Sequence, residues 1–385
     1  MKVAIVQSVL APYRVDLFNE LSLTEAMRLK VLICFKKQEG EAWAFDAPKD
    51  SHKFDMELLD LRMIRLGGRT IHPAAGLYRA LQREMPAVVV SGSLSASTLA
   101  ALLYGRRRNV PVVVWWAGTR LTERPAGRTT SLLRRLMISN VDAFIAYSTA
   151  AADYLEDMGA ARARVHVAGN LTFDATKYRA LVEQRRERAR QMRASMGLSE
   201  RPLLLCVGQL IGRKNHRFAL DLLAQLKRGG IDAGLLLVGD GPERSNLERY
   251  AAHLQLAGVC FVGAKGPAEL PLYYAMADIF IHPTNGDHWS QVVNEAMSCA
   301  LPVVVSHRDH AVELIEHGVN GFKIDTNETR EAVQVVEQLI KLPDVARETG
   351  QRGWQTAVQN DVHHAAAVFR KAIVAALDSR QSWPG

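Results

Sequence analysis

Cysteine is scarce, and none of the four is placed to work with another: Cys34, Cys206, Cys260 and Cys299 sit singly in apolar segments. Without a C-x-x-C pair, neither a zinc site nor a disulfide framework is indicated, and a reducing compartment fits. Also lacking is any apolar run of roughly 20 residues, the length a membrane-spanning helix requires. The longest weakly polar stretch, 88–104, holds four serines and reads as a strand followed by a helix. The opening Met1-Lys2-Val3-Ala4-Ile5-Val6 has too short an apolar core, and no small-residue cleavage site, for an export signal. Cytoplasmic residence is the expectation. Two phosphate fingerprints are also incomplete. Gly239-Asp240-Gly241 has Arg244 where a dinucleotide site carries its third glycine, and Gly208 to Lys214 lacks the spacing and Ser/Thr of a Walker A loop.

What is present is a 385-residue chain with 48% hydrophobic and 23% charged residues, which places it among folded globular proteins and suggests two domains. Short apolar runs alternate with longer helical patterns, the signature of parallel sheets built from βαβ units. Strands are expected at 3–6, 29–35, 87–91, 111–116 and 143–147, then at 202–207, 233–238, 259–262, 279–282 and 302–306. They are apolar throughout, as befits strands covered on both faces. Two doubly wound α/β sheets follow. The charged segment 178–196 is expected to pack little core and marks the boundary: one domain over 1–178, a second over 179–360. A final amphipathic helix begins at 361, with His364, Ala365, Val368, Phe369, Ile373 and Ala376 on its stripe, and is expected to fold back toward the first domain.

The net charge of +8 is lopsided, because residues 1–178 hold 24 Lys/Arg against 17 Asp/Glu and the remainder 24 against 23. Arg106-Arg107-Arg108, Arg120, Arg124, Arg128, Arg134 and Arg135 carry much of the excess. Three readings stay open, in this order: a solvated basic face, a contact with an anionic membrane surface, and nucleic acid. The last is weakest, since no aromatic residues interleave with the arginines and no nucleic-acid motif accompanies them.

Three segments carry chemistry. In Leu203 to His216, a buried strand enters a loop with Gly208, Gly212, Arg213 and Lys214. The glycines permit close approach, while Arg213 offers forked donors and Lys214 a compact charge, a pair suited to a diphosphate. In Leu235 to Arg244, a strand meets the turn at Gly239. In Ile281 to Pro302, a strand ends in a polar turn and a helix starts near Ser290, its first N–H groups (Ser290, Gln291, Val292) available to an anion or sugar oxygens. Asp287 falls in that turn and Glu295 one turn into the helix, so two carboxylates from different elements can face one ligand. Read alone, each has a plainer alternative: a loop cation pair, a bare turn, a helix cap, a solvated helix charge.

Taken in order, G-x-L-x-x-R-K, V-G-D-G-P, Phe261-Val262-Gly263 with Tyr273-Tyr274-Ala275-Met276, P-T-x-x-D-x-W-S-x-V-V-x-E-A-M and L-P-V-V-V-S resemble the donor half of retaining GT-B glycosyltransferases of family 4 (glycosyl transferases group 1). The likeness covers 203–325. It implies two Rossmann-like domains facing a cleft, the second holding a nucleoside-diphosphate sugar (UDP- or GDP-linked) and the first an acceptor. By that resemblance Arg213 and Lys214 contact the diphosphate, Asp287 lies near the sugar hydroxyls and Glu295 near the ribose, the four forming the catalytic set. Gly208, Gly212, Gly239, Val262, Gly263, Lys265, His288, Trp289, Ser290, Gln291 and Val292 would line the donor, and Arg14, Trp116, Gly118 and Arg120 the acceptor. Asp287 stands where relatives more often carry Glu, and the glycine pair after the first strand is replaced by Ser8 to Arg14. No D-x-D triplet occurs, so neither a metal nor a separate cofactor is expected. The preferred acceptor is a lipid-linked glycan intermediate of bacterial surface polysaccharide. The rivals are an epimerase or phosphorylase of the same fold, a non-catalytic sugar-nucleotide-binding subunit and, least, a dehydrogenase.

Overall fold

The computed structural model describes residues 1–24, 26–35, 52–59, 61, 64–66, 69–71, 74–123 and 127–381. The chain forms two compact units, one of 1–173 with 362–385 and one of 174–361.

The first unit contains strands β1 Lys2–Gln7, β2 Arg28–Ile33, β3 Asp55–Leu58, β4 Ile64–Leu66, β5 Arg69–Ile71, β6 Val88–Ser91, β7 Val112–Trp116, β8 Ala143–Ala146 and β9 Val165–Val167. Seven form a parallel sheet in the order β3-β2-β1-β6-β7-β8-β9, and β4 and β5 make a small antiparallel ribbon. Its helices are α1 Val15–Ser22, α2 Ala74–Glu84, α3 Ala96–Arg108, α4 Arg128–Ser139 and α5 Thr149–Asp157. The five expected strands are all present. The core is assembled from their continuous apolar runs, such as the fully buried Val112, Val113 and Val114, with Leu81, Leu102 and Ile138 packed from the helices.

The second unit begins with the long α6 Ala175–Ser195. The boundary therefore falls at 173/174 rather than 178/179. The charged segment is not a loose connector: Val182 and Ala189 are buried, and α6 packs against α9 Leu270–Met276. Ala175, Val182 and Ala189, each two turns from the next, form the buried stripe, although most of the other positions are polar or charged. Strands β10 Leu203–Val207, β11 Gly234–Val238, β12 Val259–Gly263, β13 Ile279–His282, β14 Val303–Ser306 and β15 Phe322–Ile324 form a parallel sheet in the order β12-β11-β10-β13-β14-β15. Helices α7 His216–Arg228, α8 Arg244–His253, α10 Gln291–Ser298, α11 Thr329–Lys341 and α12 Pro343–Gln359 complete the unit.

The last helix, α13 Val362–Gln381, belongs to the first unit. It packs on α1, β7, β8 and β9, burying Ala365, Ala366, Phe369, Ala372, Ile373 and Ala376. His364 does not join that stripe and is exposed. Cys34, Cys206 and Cys299 are buried free thiols and Cys260 a half-buried one. Among the described residues, no helix is long and apolar enough to cross a membrane.

Candidate functional site

In both sheets the strand order reverses direction once, between β1 and β6 and between β10 and β13. Loops leaving such neighbouring strands diverge to opposite faces, and the crevice at their carboxyl ends is where open α/β sheets hold ligands. In the second unit the two loops are Gly208 to Asn215, after β10, and Pro283 to Ser290, after β13. These are the segments richest in the expected site residues.

The two loops are stitched together. The carbonyl of Arg213 accepts from the Asn285 N–H at 2.8 Å and from the Thr284 hydroxyl at 3.1 Å, while the Arg213 guanidinium donates to the Gly286 carbonyl at 2.8 Å. A third loop joins them, with Asp287 N–H donating to the Arg308 carbonyl at 3.1 Å. Gly239 tightens the crossing from the other side. Its φ is +152°, and a Cβ there would lie 1.8 Å from the Gly208 carbonyl oxygen. Gly212, expected to need glycine's freedom, does not: its surroundings are open, and it lies outside the left-handed region.

At the centre of the crevice, Lys214 Nζ and Arg213 Nη1 both donate to Asp287 Oδ2 at 2.6 Å. Burial alone would raise the Asp287 pKa, but the two cations outweigh it and hold the carboxyl well below its usual range. Lys214 also reaches Ser290 Oγ at 3.2 Å, which in turn lies 2.9 Å from His282 Nε2. Beneath them sits Asp309, fully buried. Its Oδ1 accepts from the N–H groups of Ser290 at 3.1 Å and Ala311 at 2.8 Å, and its Oδ2 is 3.1 Å from His282 Nε2. Burial, then Lys214, keep His282 below the ordinary histidine pKa, so it is neutral near pH 7. One expected feature is thereby corrected: the Ser290 N–H is not available to a ligand, because Asp309 takes it.

His282, Asp287 and Asp309 bring one ligand atom each within 4.8 Å of one another. Lys214 Nζ stands beside this set, 2.6 Å from Asp287 Oδ2.

Glu295 lies on α10 as expected but is not a solvated helix charge. It is half-buried, and its Oε2 accepts from the Tyr274 hydroxyl at 2.7 Å. Tyr178 of α6, its ring 6.1 Å from that of Tyr274, faces the same carboxylate. Burial pushes the Glu295 pKa up to about 7, against the opposing effect of the two phenols. Around this centre Gly208, His288, Gln291 and Val292 are half-buried, and Trp289 is buried. Val262 and Gly263 end β12 and Lys265 follows it, with the Gly263 carbonyl accepting from the Gly239 N–H at 3.0 Å. Lys265 Nζ lies over the Tyr273 ring at 5.9 Å.

The four expected acceptor residues do not form one cluster of outward donors. Arg14, in the loop after β1, stacks on the Trp115 ring at 4.6 Å and donates to the Tyr147 hydroxyl at 2.9 Å. Trp116 is buried with its indole N–H donating to the Gly118 carbonyl at 2.8 Å. Arg120 is exposed and doubly bonded to Asp157. Of the other basic residues, Arg134 pairs with Glu123 at 2.9 Å. Arg124 and the Arg128 side chain lie outside the described residues. Sequence reasoning missed Asp309, His282, Tyr274 and Tyr178 as parts of the site. The one local signal was the polar run Ser306 to His310 at the end of β14, since polar residues at a strand's carboxyl end in such a sheet border the crevice.

Comparison with known proteins places these features. Residues 188–356 match the family model of the glycosyl transferases group 1, and residues 37–170 that of the glycosyl transferase 4-like domain. A GDP-mannose-dependent α-(1-6)-phosphatidylinositol monomannoside mannosyltransferase of Mycolicibacterium smegmatis is 33% identical over 178 residues, 44% of this chain and 47% of that protein. The match thus spans about half the length of that relative. Among solved structures, Anabaena HepE in complex with UDP superposes with a TM-score of 0.76 at 18% identity, covering 97% of this chain and 100% of that one. A glycosyltransferase of Rickettsia africae does so with a TM-score of 0.79 at 14% identity, covering 98% of each. The fold is GT-B.

Proposed function

We propose that this chain is a retaining, metal-independent glycosyltransferase that moves a sugar from a UDP- or GDP-linked donor to an acceptor hydroxyl. The observation that carries the reading is the convergence of Arg213 and Lys214 on one carboxylate oxygen at the switch point of the second sheet, beside the first turn of α10. Two cations held on an acid are a preformed receptor for a stronger, doubly charged anion. A diphosphate entering the crevice takes over the donors that Asp287 now occupies, and Asp287 is released toward the sugar hydroxyls. In the reaction the bond between the sugar's anomeric carbon and the β-phosphate oxygen breaks, and its electron pair stays on the diphosphate. The acceptor oxygen bonds to that carbon, and its proton passes to an oxygen of the departing diphosphate. Charge builds on the leaving diphosphate, where fixed cations and helix N–H groups lower the barrier most. Glu295 is assigned to the ribose hydroxyls and the 262–265 segment to the base. The second unit is the donor domain and the first the acceptor domain.

For the acceptor we favour a lipid-linked glycan intermediate of bacterial surface polysaccharide, handled at the cytoplasmic face of the membrane. The matching mannosyltransferase is named for a phosphatidylinositol-based acceptor and a GDP-mannose donor, which supports both choices.

The test has two arms. A thermal-shift series with UDP, GDP, TDP and ADP sugars identifies the donor, since a ligand at about 100 times its Kd adds about 2.7 kcal/mol to stability. Product analysis with that donor, with and without acceptor, separates transfer from epimerisation or phosphorolysis. Lys214→Ala is expected to slow transfer roughly 10²- to 10³-fold, as for a lost charge-stabilising donor. Stabilisation by none of the nucleotide sugars, or normal turnover by Lys214→Ala, would overturn the proposal.

A further inference from the structure

Asp309 is fully buried, and among the described residues no lysine or arginine pairs with it. A carboxylate kept in such a place is costly unless its lone pairs are used. Oδ1 serves the N–H groups of Ser290 and Ala311, while Oδ2 faces His282 Nε2 at 3.1 Å and accepts no hydrogen bond of good geometry. Burial alone would raise the Asp309 pKa, but the facing His282 outweighs it and holds the carboxyl below its ordinary value, so it is ionised near pH 7. Ser290 adds a second observation. It stands at the N-cap of α10, where a serine hydroxyl ordinarily accepts from the second or third N–H of its own helix. Here it makes no such bond. The hydroxyl is turned instead toward Lys214 Nζ at 3.2 Å and His282 Nε2 at 2.9 Å. The His282 ring lies parallel to the Phe280 ring, with centroids 6.1 Å apart. Acid, imidazole, hydroxyl and ammonium thus form one chain, which runs from the β14 loop to the β10 loop.

The direction of each bond in the chain follows from the ionised acid. A neutral imidazole carries its proton on one nitrogen only. If Nε2 lacked it, two lone pairs would meet between Nε2 and Asp309 Oδ2, so Asp309 selects the tautomer protonated at Nε2. That N–H donates to the Ser290 oxygen, and the Lys214 ammonium donates to the same oxygen. Both lone pairs of the hydroxyl are then used, and its proton is left for another acceptor. A phosphate oxygen bound to Lys214 is within its reach, since Oγ and Nζ are 3.2 Å apart. We propose that His282 and Asp309 are positioning residues of the diphosphate receptor: they keep the Ser290 hydroxyl proton turned toward the bound diphosphate, where it serves in place of the Ser290 N–H that Asp309 has taken. The proposal rests on the donor reading above. It adds a neutral hydrogen-bond donor beside Arg213 and Lys214, and a buried acid that acts on the ligand only through its neighbours.

Transfer by the full-length protein, with the UDP- or GDP-sugar that stabilises it, tests this. Ser290→Ala leaves the backbone N–H on Asp309 and removes only the hydroxyl. Its kcat is expected to fall roughly 10²-fold with the donor KM within about threefold, because the charge on the diphosphate grows in the transition state. Asp309→Asn keeps an oxygen for the two N–H groups but turns an NH2 group toward Nε2, which forces the other tautomer and draws the Ser290 proton back to the ring. A similar loss of kcat is expected. The double variant should be no slower than Ser290→Ala alone, since Asp309 acts through that hydroxyl, whereas an independent loss would multiply. The nitrogen-15 shifts of the His282 ring, whose signals are identified by their absence in His282→Gln, read the tautomer without any change at Asp309. Protonated Nε2 is expected. Protonated Nδ1, wild-type turnover by Ser290→Ala, or multiplying losses in the double variant would each overturn the proposal. No transfer by the wild type, or normal turnover by Lys214→Ala, would instead bring down the donor reading on which it rests.

Discussion

Asp287 holds Lys214 and Arg213 at the same oxygen, with Lys214 and Asp287 both close to nine-tenths buried. At that burial a single charge removed leaves its partners uncompensated, at a cost on the order of 3–5 kcal/mol. Asp287→Asn therefore has two expected effects of opposite sign. The ligand-free variant melts lower, because two cations face each other without their acid. Its gain from added UDP or GDP is larger than the wild type's, because no carboxylate competes for the donors. Transfer nonetheless slows. Ligand-induced melting shifts, measured beside the transfer rate, check this; a smaller shift in the variant would remove Asp287 from the receptor. Glu295 supplies a second prediction. Its folded pKa of about 7 exceeds the ordinary 4.5, so the fold favours the neutral acid: its contribution to stability is complete below about pH 4.5 and is lost as pH rises through 7. Binding to ribose favours the opposite, ionised form, so nucleotide affinity is expected to rise over the same window. Glu295→Gln should flatten both profiles. Tyr274→Phe, which removes a donor to the ionised form, should move the midpoints above 7. Arg213, Lys214, Asp287 and Glu295 could be named from the sequence only through the ordered motifs that resemble a known family, since each taken alone has a plainer reading; the structure brings the first three together. Asp309, His282 and the two tyrosines could not, because each acts through a partner brought near only by the sheet.

Elements were read best where an apolar run is continuous, as in β10, β11 and β13, whose residues are buried on both faces. Besides the β4–β5 ribbon, the strands that escaped, β3, β9 and β15, are short and stand at sheet edges, with mixed polar composition (Asp55-Met56-Glu57-Leu58, Val165-His166-Val167, Phe322-Lys323-Ile324). Half-covered strands need no uniform apolar run, so their sequences carry little signal. The loops between elements rest on glycine unequally, and two substitutions measure the difference. Gly239→Ala meets both a disfavoured φ and the Gly208 carbonyl oxygen, a backbone atom that cannot swing aside. A cost of about 3 kcal/mol is expected, and a melting temperature lower by roughly 6–12 °C for a unit of this size. Gly212→Ala, with nothing within 4 Å, should stay within about 0.5 kcal/mol of wild type. Equal losses from the two would mean that the crossing of the β10 and β11 loops is not what the glycine protects.

At the scale of the whole molecule, the chain is discontinuous: it builds most of the first unit, completes the second, and returns to the first with α13. The return is visible in the sequence as an amphipathic tail, but which apolar surface it covers depends on β7 and β8, far away in the chain. Phe369 sits edge-on to Trp115 with ring centroids 4.9 Å apart, and both are fully buried. The first unit therefore lacks part of its core until the last residues are made, whereas the second is one uninterrupted stretch, 174–361, with its own core and all of the Arg213, Lys214, Asp287 and Glu295 constellation. A fragment limited to 174–361 is expected to fold cooperatively and to keep the nucleotide-induced melting shift, while 1–173 alone, with Trp115 uncovered, is expected to lose cooperative unfolding. In the full chain, Phe369→Ala should cost the first unit about 3–5 kcal/mol, the usual range for an aromatic removed from a core, and leave the nucleotide shift intact. Circular dichroism melts of the fragments and the variant, each with and without nucleotide, distinguish the outcomes. A 174–361 fragment that folds yet ignores nucleotide would move the donor site out of the second unit's own crevice, since every cation assigned to the diphosphate is contained in that stretch.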